Sequence, residues 1–205
     1  MGKLIEFIIQ GGLEIMIPLV VLFLIGLAFI IERFLALSKA KINTAEFLTK
    51  IRAALRNKNV KEAVKICETF KGPIASILKT GLMKYGDPKS EIEKTMENAA
   101  MHEIARLERG LPILSTISNL APIIGFLGTV TGMIASFAAL SKLNDPGAVA
   151  KGISQALITT AGGLITSIPM LLAYSFFTTK VNTFIREIES ASAVLMESFS
   201  QMERD

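Results

Sequence analysis

The sequence contains no tryptophan, one cysteine (Cys67) and one histidine (His102) among 205 residues. A single thiol cannot close a disulfide, and one thiol with one imidazole cannot build a Cys/His zinc site. The more telling absence is of charge. Glu14 and Glu32 bound 17 uncharged residues, Ile15 to Ile31; Arg109 and Lys142 bound 32 more, Gly110 to Ser141; Lys151 and Lys180 bound another 28, Gly152 to Thr179. A membrane-spanning helix needs roughly 17–25 predominantly apolar residues. Three stretches qualify, in a chain that is 51% hydrophobic with a mean hydropathy of +0.50. This argues against a soluble globular enzyme.

The first stretch fits a cleaved leader poorly, with Ala36-Leu37-Ser38 a weak cleavage site. Its start carries Glu6 and Glu14 as well as Lys3, and its apolar core is longer than the roughly 7–15 residues of a signal peptide. The basic residues set an orientation. Lys3, Lys142 and Lys151 flank one side of the spans, and the other 19 of the 22 Lys and Arg fall on the opposite side. The positive-inside rule then places the N-terminus outside and the C-terminus inside. Residues 1–37 read as the outer N-terminus and first span, 38–109 as a cytoplasmic helical segment and 110–140 as the second span. An outer turn over 141–151, a third span over 152–179 and a cytoplasmic C-terminal helix over 180–205 complete the chain. The net charge of +4 is accounted for by this asymmetry and calls for no nucleic acid.

Between the first two spans, apolar periodicity predicts short helices over 45–55, 60–70 and 74–85, separated by breakers such as Gly72-Pro73 and Gly86-Asp87-Pro88. Asp87 or Ser90 is placed to cap the next helix, and Ser90 with Glu93 fits a capping box. No strong breaker follows, so residues 89–140 read as one long helix, bent rather than ended by Gly110 and Pro112. After Thr179 a stripe of Val181, Phe184, Ile188, Ala191, Leu195 and Phe199 continues the helical spacing. These faces are expected to pack on the short helices and on neighbouring subunits. The fold class is therefore an all-α membrane protein with three transmembrane helices, the second and third extended into a cytoplasmic bundle.

The first span is oily, and Glu14 and Glu32 mark its interfaces. The second and third spans are richer in small and hydroxyl-bearing residues. Gly125, Gly128, Thr129, Gly132 and Ser136 lie along one side of the second; Ala156, Thr160, Gly163 and Ser167 share a stripe on the third. Small residues let helices approach closely, and polar ones prefer protein or water to lipid. One isolated hydroxyl would simply bond a carbonyl of its own helix; two hydroxyl-rich helices beside an oily one suggest an inward polar surface, with the small-residue faces packing between subunits. Pro122 and Pro169 interrupt helical hydrogen bonding and bend the spans there. Neither span contains Asp, Glu, His, Lys or Arg. Proton relays in membranes use ionisable side chains, so a second chain would have to supply the carboxylate. An intramembrane enzyme would need a nucleophile–base pair or metal ligands; none is present, and His102 reads as solvated.

The run APIIGFLGTVTGMIASF from Ala121 to Phe137 resembles the second-span signature of the ExbB/TolQ/MotA ion-channel family. The run GISQALITTAGGL from Gly152 to Leu164, followed by Ser167-Ile-Pro-Met170, resembles its third-span signature. Three spans rather than four place the chain on the ExbB/TolQ side. The resemblance implies a homopentameric ring around an ExbD/TolR-like dimer whose single spans carry the ion-binding aspartate. It implies no cofactor; the transported ion would be H⁺, or Na⁺ through hydroxyl oxygens. The work would go to TonB-dependent outer-membrane transport, or through a TolA-like partner to envelope integrity, or to gliding. A non-conducting scaffold is the structural alternative. By the same resemblance Thr129, Thr160, Gln155 and Ser167 would line or adjoin the ion path, and Pro122 and Pro169 would bend the helices beside it. Gly125, Gly128, Gly132 and Gly163 would allow close packing. Gln155 departs from the family pattern, which often has Glu at that position.

Overall fold

The computed structural model describes residues 2–143 and 146–204. They form eight helices: α1 (Gly2–Gln10), α2 (Leu13–Ala40), α3 (Thr44–Arg56), α4 (Val60–Thr69), α5 (Pro73–Leu82), α6 (Lys89–Glu108), α7 (Leu111–Leu143) and α8 (Pro146–Arg204). Among the described residues there is no strand, and a lone bridge joins Tyr85 and Asp87. Three helices are long and apolar enough to cross a membrane. Of the expected outer turn, Asn144 and Asp145 lie outside the described residues, with α7 reaching Leu143 and α8 starting at Pro146.

The chain divides into two compact units, one of Met1–Arg33 with Gly110–Phe176 and one of Phe34–Arg109 with Phe177–Asp205. In the first, Met16 and Leu19 of α2 are buried with Ala121 of α7, and Phe7 and Ile8 of α1 pack on them. Gly162 of α8 lies against Met16, and Gly26 of α2 against the Met170 side chain. Elsewhere this unit exposes large apolar side chains, among them Leu24, Phe126, Ile134 and Leu172. Such a surface in water would be an aggregation hazard; facing lipid tails it carries no penalty.

The second unit is a small helical bundle with a core of its own. Phe47 and Ile51 of α3, Ile74, Ile77 and Leu78 of α5, and Leu195 of α8 are fully buried together. The stripe of α8 predicted from its periodicity is thus covered by the chain's own short helices: Ile188, Ala191, Leu195 and Phe199 belong to this core. Asn43 and Asn59 start α3 and α4 by accepting the Glu46 and Glu62 N–H at 3.3 and 3.1 Å, the N-cap geometry that satisfies an orphan donor. Thr44 ties the bundle to α8 by donating to Glu187 at 2.8 Å. The Lys79 ammonium bonds Glu68 at 2.8 Å and, by that bond and its charge, holds the Glu68 carboxyl below the usual range. Cys67 is buried in the core, and desolvation pushes its thiol up to about 12.

The structure corrects two sequence expectations. The capping box at Ser90 and Glu93 does not form: Pro88 stands at the N-cap of α6 with no side-chain cap, its carbonyl accepting from Glu91 and Ile92 at 2.8 and 3.1 Å. Nor do residues 89–140 form one helix. α6 ends at Glu108, Arg109 turns extended at ψ 128°, and Gly110 takes φ +85° before α7 begins at Leu111. A positive φ is costly for any residue with a Cβ, so glycine is the natural stop. Pro112 then falls in the first turn of α7, where its missing N–H costs nothing.

Candidate ion-path site

Helices α7 and α8 approach closely because their contact is built from residues without bulk. A Cβ on Gly125 would stand 2.9 Å from the Thr159 carbonyl oxygen and 3.2 Å from the Cα atoms of Gly163 and Thr160. One on Gly163 would stand 2.6 Å from the Ala121 carbonyl oxygen, and one on Gly132 3.0 Å from the Ala156 Cβ. Gly128 faces the Thr159 side chain. Within one chain these small-residue faces pack on each other. Gly-to-Cα approach of this kind substitutes dispersion contact for the hydrophobic driving force that lipid does not provide.

That proximity lets hydroxyls reach across. Thr129 donates to the Ala156 carbonyl at 3.2 Å and lies 3.5 Å from its own-helix Gly125 carbonyl. Thr160 donates to the Gly125 carbonyl at 3.2 Å, and the two Thr Oγ1 atoms are themselves in hydrogen-bond contact. Two hydroxyl protons thus serve at least three contacts: the two cross-helix carbonyls and the bond between the hydroxyls. The pair has more acceptor than donor capacity. By contrast Thr116, Ser136 and Thr166 donate to carbonyls four residues back in their own helices at 2.8, 2.8 and 3.0 Å. The ordinary fate of a membrane hydroxyl therefore holds around the site, and Thr129 and Thr160 depart from it.

Ser167 is buried and donates to the Ser118 carbonyl of α7 at 2.6 Å. That carbonyl is the one deprived of its helical partner by Pro122, four residues on, which has no N–H. The Ser167 hydroxyl fills the gap, as unpaired backbone at membrane depth requires. Pro169, half-buried in α8, leaves the Ile165 carbonyl in the same position, and the following Met170 is wholly buried. Gln155 lies apart from the threonine pair. It is exposed, and its Nε2 rests against Gly12, whose φ of +84° makes the turn between α1 and α2. Both residues line an open pocket of about 450 Å³ together with Glu14, Thr131 and Thr159. The structure thus brings Thr129 and Thr160 together, sets Ser167 to a backbone task two turns along α8, and places Gln155 in a separate pocket.

Of the pocket's polar lining, Glu14, Thr131 and Thr159 are brought together only by the fold: Glu14 carries a signal as a carboxylate at the head of a span, but nothing local links it to a residue over a hundred positions away. Among the described residues no cluster of three or more His, Cys, Asp or Glu is placed to hold a metal ion, and His102 is exposed on α6.

Three helices long and apolar enough to cross a membrane, two of them joined by hydroxyls and glycines and with no Asp, Glu, His, Lys or Arg in their spans, define a polytopic membrane protein. The profile of the MotA/TolQ/ExbB proton channel family matches residues 69–190, and the chain belongs to that family. An ExbB homologue from Methanothermobacter thermautotrophicus, named for biopolymer transport, is 30% identical over 189 residues, 92% of this chain and 67% of its own length. An ExbB-like protein of Synechocystis is 27% identical over 94% of this chain and 90% of its own. The Tol-Pal system protein TolQ of Haemophilus influenzae is 43% identical over 100 residues, which is 46% of this chain and 44% of TolQ.

Proposed function

We propose that this chain is the ring-forming subunit of an ion-driven motor of the ExbB/TolQ type. It resides in the bacterial inner membrane with its N-terminus on the periplasmic face. Five copies surround the single spans of an ExbD/TolR-like partner, whose aspartate carries the ion past Thr129 and Thr160. The observation that supports this best is the cross-helix hydroxyl pair, set in two spans with no Asp, Glu, His, Lys or Arg of their own. Such a pair can order a water or ligate a cation, but it cannot by itself hold a transferable charge, so it needs the partner's carboxylate. The ion is H⁺, with Na⁺ the alternative that hydroxyl oxygens also suit. The work is delivered to TonB-dependent outer-membrane transport. A Tol–Pal role is the second reading, favoured by the 43% identity to TolQ over the shared 100 residues.

The test is ion flux in cells producing the chain with its single-span partner, with membrane levels checked by blot. Thr160→Val keeps volume and β-branching and removes the oxygen, so flux is expected to collapse while assembly persists. Thr160→Ser keeps the oxygen and most of the flux. Wild-type flux in the Thr129→Val, Thr160→Val double variant would remove both residues from the path and leave a non-conducting scaffold as the better reading.

A further inference from the structure

The pocket of about 450 Å³ is walled by the α1–α2 turn, by one face of α7 and by the first turns of α8. Glu14 is its sole titratable lining residue among the described ones; the other polar lining side chains, Thr131, Gln155 and Thr159, are neutral. The remaining wall is largely glycine and apolar, so the carboxylate's field is neither cancelled nor shared within the pocket.

The hydroxyls there are committed as donors. Thr131 gives its proton to the Leu127 and Gly128 carbonyls at 3.1 and 3.2 Å, and Thr159 gives its own to Ala156 at 2.7 Å. A hydroxyl whose proton is spent on its own helix presents only lone pairs to anything else. Gln155 adds a carboxamide, whose Nε2 lies against Gly12. One carboxylate in a pocket that also holds neutral oxygens, with no cationic side chain among its described lining residues, is a donor set for a hard monovalent cation, whether hydronium or sodium. Two lining residues, Gly128 and Thr159, immediately precede Thr129 and Thr160 in the chain.

We infer that Glu14 is the entry carboxylate of the ion path: it draws a hydronium or sodium ion into this pocket, where Gln155 and the threonine oxygens share its coordination before it passes to the Thr129–Thr160 pair. The inference rests on the ion-path reading of that pair. A charged cleft raises the local concentration of its counter-ion and the rate of entry by factors of about 10–10³, and position 155 need not be charged if Glu14 is.

The experiment measures ion flux in cells producing the full chain with its single-span partner, at neutral external pH, with membrane levels and native assembly checked for each variant. Glu14→Gln is isosteric and is expected to lower flux about tenfold or more, with assembly intact. Glu14→Asp should keep most of the flux. Moving the carboxylate across the pocket, in the Glu14→Gln, Gln155→Glu double variant, should restore a large part of it. Replacing external sodium by choline at fixed pH identifies sodium if flux stops, and hydronium if flux follows external pH instead. Wild-type flux in Glu14→Gln, beside a Thr160→Val variant that is dead, overturns the entry site and leaves the hydroxyl-pair reading standing. Full flux in both variants overturns the ion-path reading itself. Failure of the double variant to recover, or loss of Glu14→Gln from the assembled membrane fraction, assigns Glu14 a packing role and overturns the inference.

Discussion

Removing the Ser167 hydroxyl is expected to do more harm than an ordinary serine-to-alanine change in a membrane helix, because its partner has no alternative. The Ser118 carbonyl lost its helical donor to Pro122, so Ser167→Ala leaves a buried acceptor unpaired. Such a loss costs about 1–3 kcal/mol, read as a lower unfolding temperature in detergent. Pro122→Ala supplies the missing N–H, so the Pro122→Ala, Ser167→Ala double variant should lose less than the sum of the two single changes. Additive losses would show that the two residues are not coupled. Cys67 makes a second residue-scale prediction. Its thiol is pushed from 9.0 up to about 12 by burial, and the thiolate is the reactive form. A maleimide at pH 8 should therefore leave the native protein unlabelled and label it rapidly on unfolding. Because the folded protein favours the protonated form, this group's contribution to stability is complete below pH 9 and is lost as pH rises toward 12. Fast native labelling at pH 8 would contradict the burial.

At the scale of elements, the α7–α8 contact is the one the site depends on. Gly163→Ala places a methyl group 2.6 Å from the rigid Ala121 carbonyl oxygen, and Gly125→Ala places one 2.9 Å from that of Thr159. Neither backbone atom can swing aside, so the helices must separate, and the Thr129–Thr160 contact with them. Overpacking of this kind costs about 1–3 kcal/mol, and flux should fall even though no hydroxyl is touched. Unchanged flux and stability in Gly163→Ala would mean the helices have slack. The contact also marks what the sequence could and could not tell. The three spans were legible because absence of charge over a span length is a local, one-dimensional signal. The buried stripe of α8 was legible because 3.6-residue periodicity survives without knowledge of the partner. The threonine pair was legible only through resemblance, since nothing in the spacing says that positions 129 and 160 face each other. The stop at Gly110 was missed because a glycine inside an apolar run is compatible with both a bend and an end; its φ of +85° decides between them, and φ is not a sequence property. The link between Gly12 and Gln155 was missed for a plainer reason: it joins residues that only the folded chain brings together.

At the scale of the whole molecule, each unit raises a separate question of what covers it. The second unit buries its own core, so Leu195→Ala, at a fully buried position, should cost about 2–5 kcal/mol as a cavity mutant. The first unit leaves Phe126, Ile134 and Leu172 each more than three-fifths exposed. Lipid can cover such side chains, and so can another copy. The close-packed glycines are already spent inside the chain, so contacts between copies must use these bulkier faces rather than the small-residue stripes. A ring assembled that way would be held by side-chain interdigitation and not by backbone approach. It should therefore tolerate single large-to-large changes, such as Phe126→Leu, while yielding to several large-to-small changes made together. Native mass measurement in mild detergent checks this. The expected result is a closed multiple of the 22.2 kDa chain, five by resemblance to the family, retained in Phe126→Leu and lost in a combined Phe126→Ala, Ile134→Ala, Leu172→Ala variant that still inserts. A monomer for the unaltered chain with its partner would sink the motor reading, because a single copy cannot enclose a partner's helix.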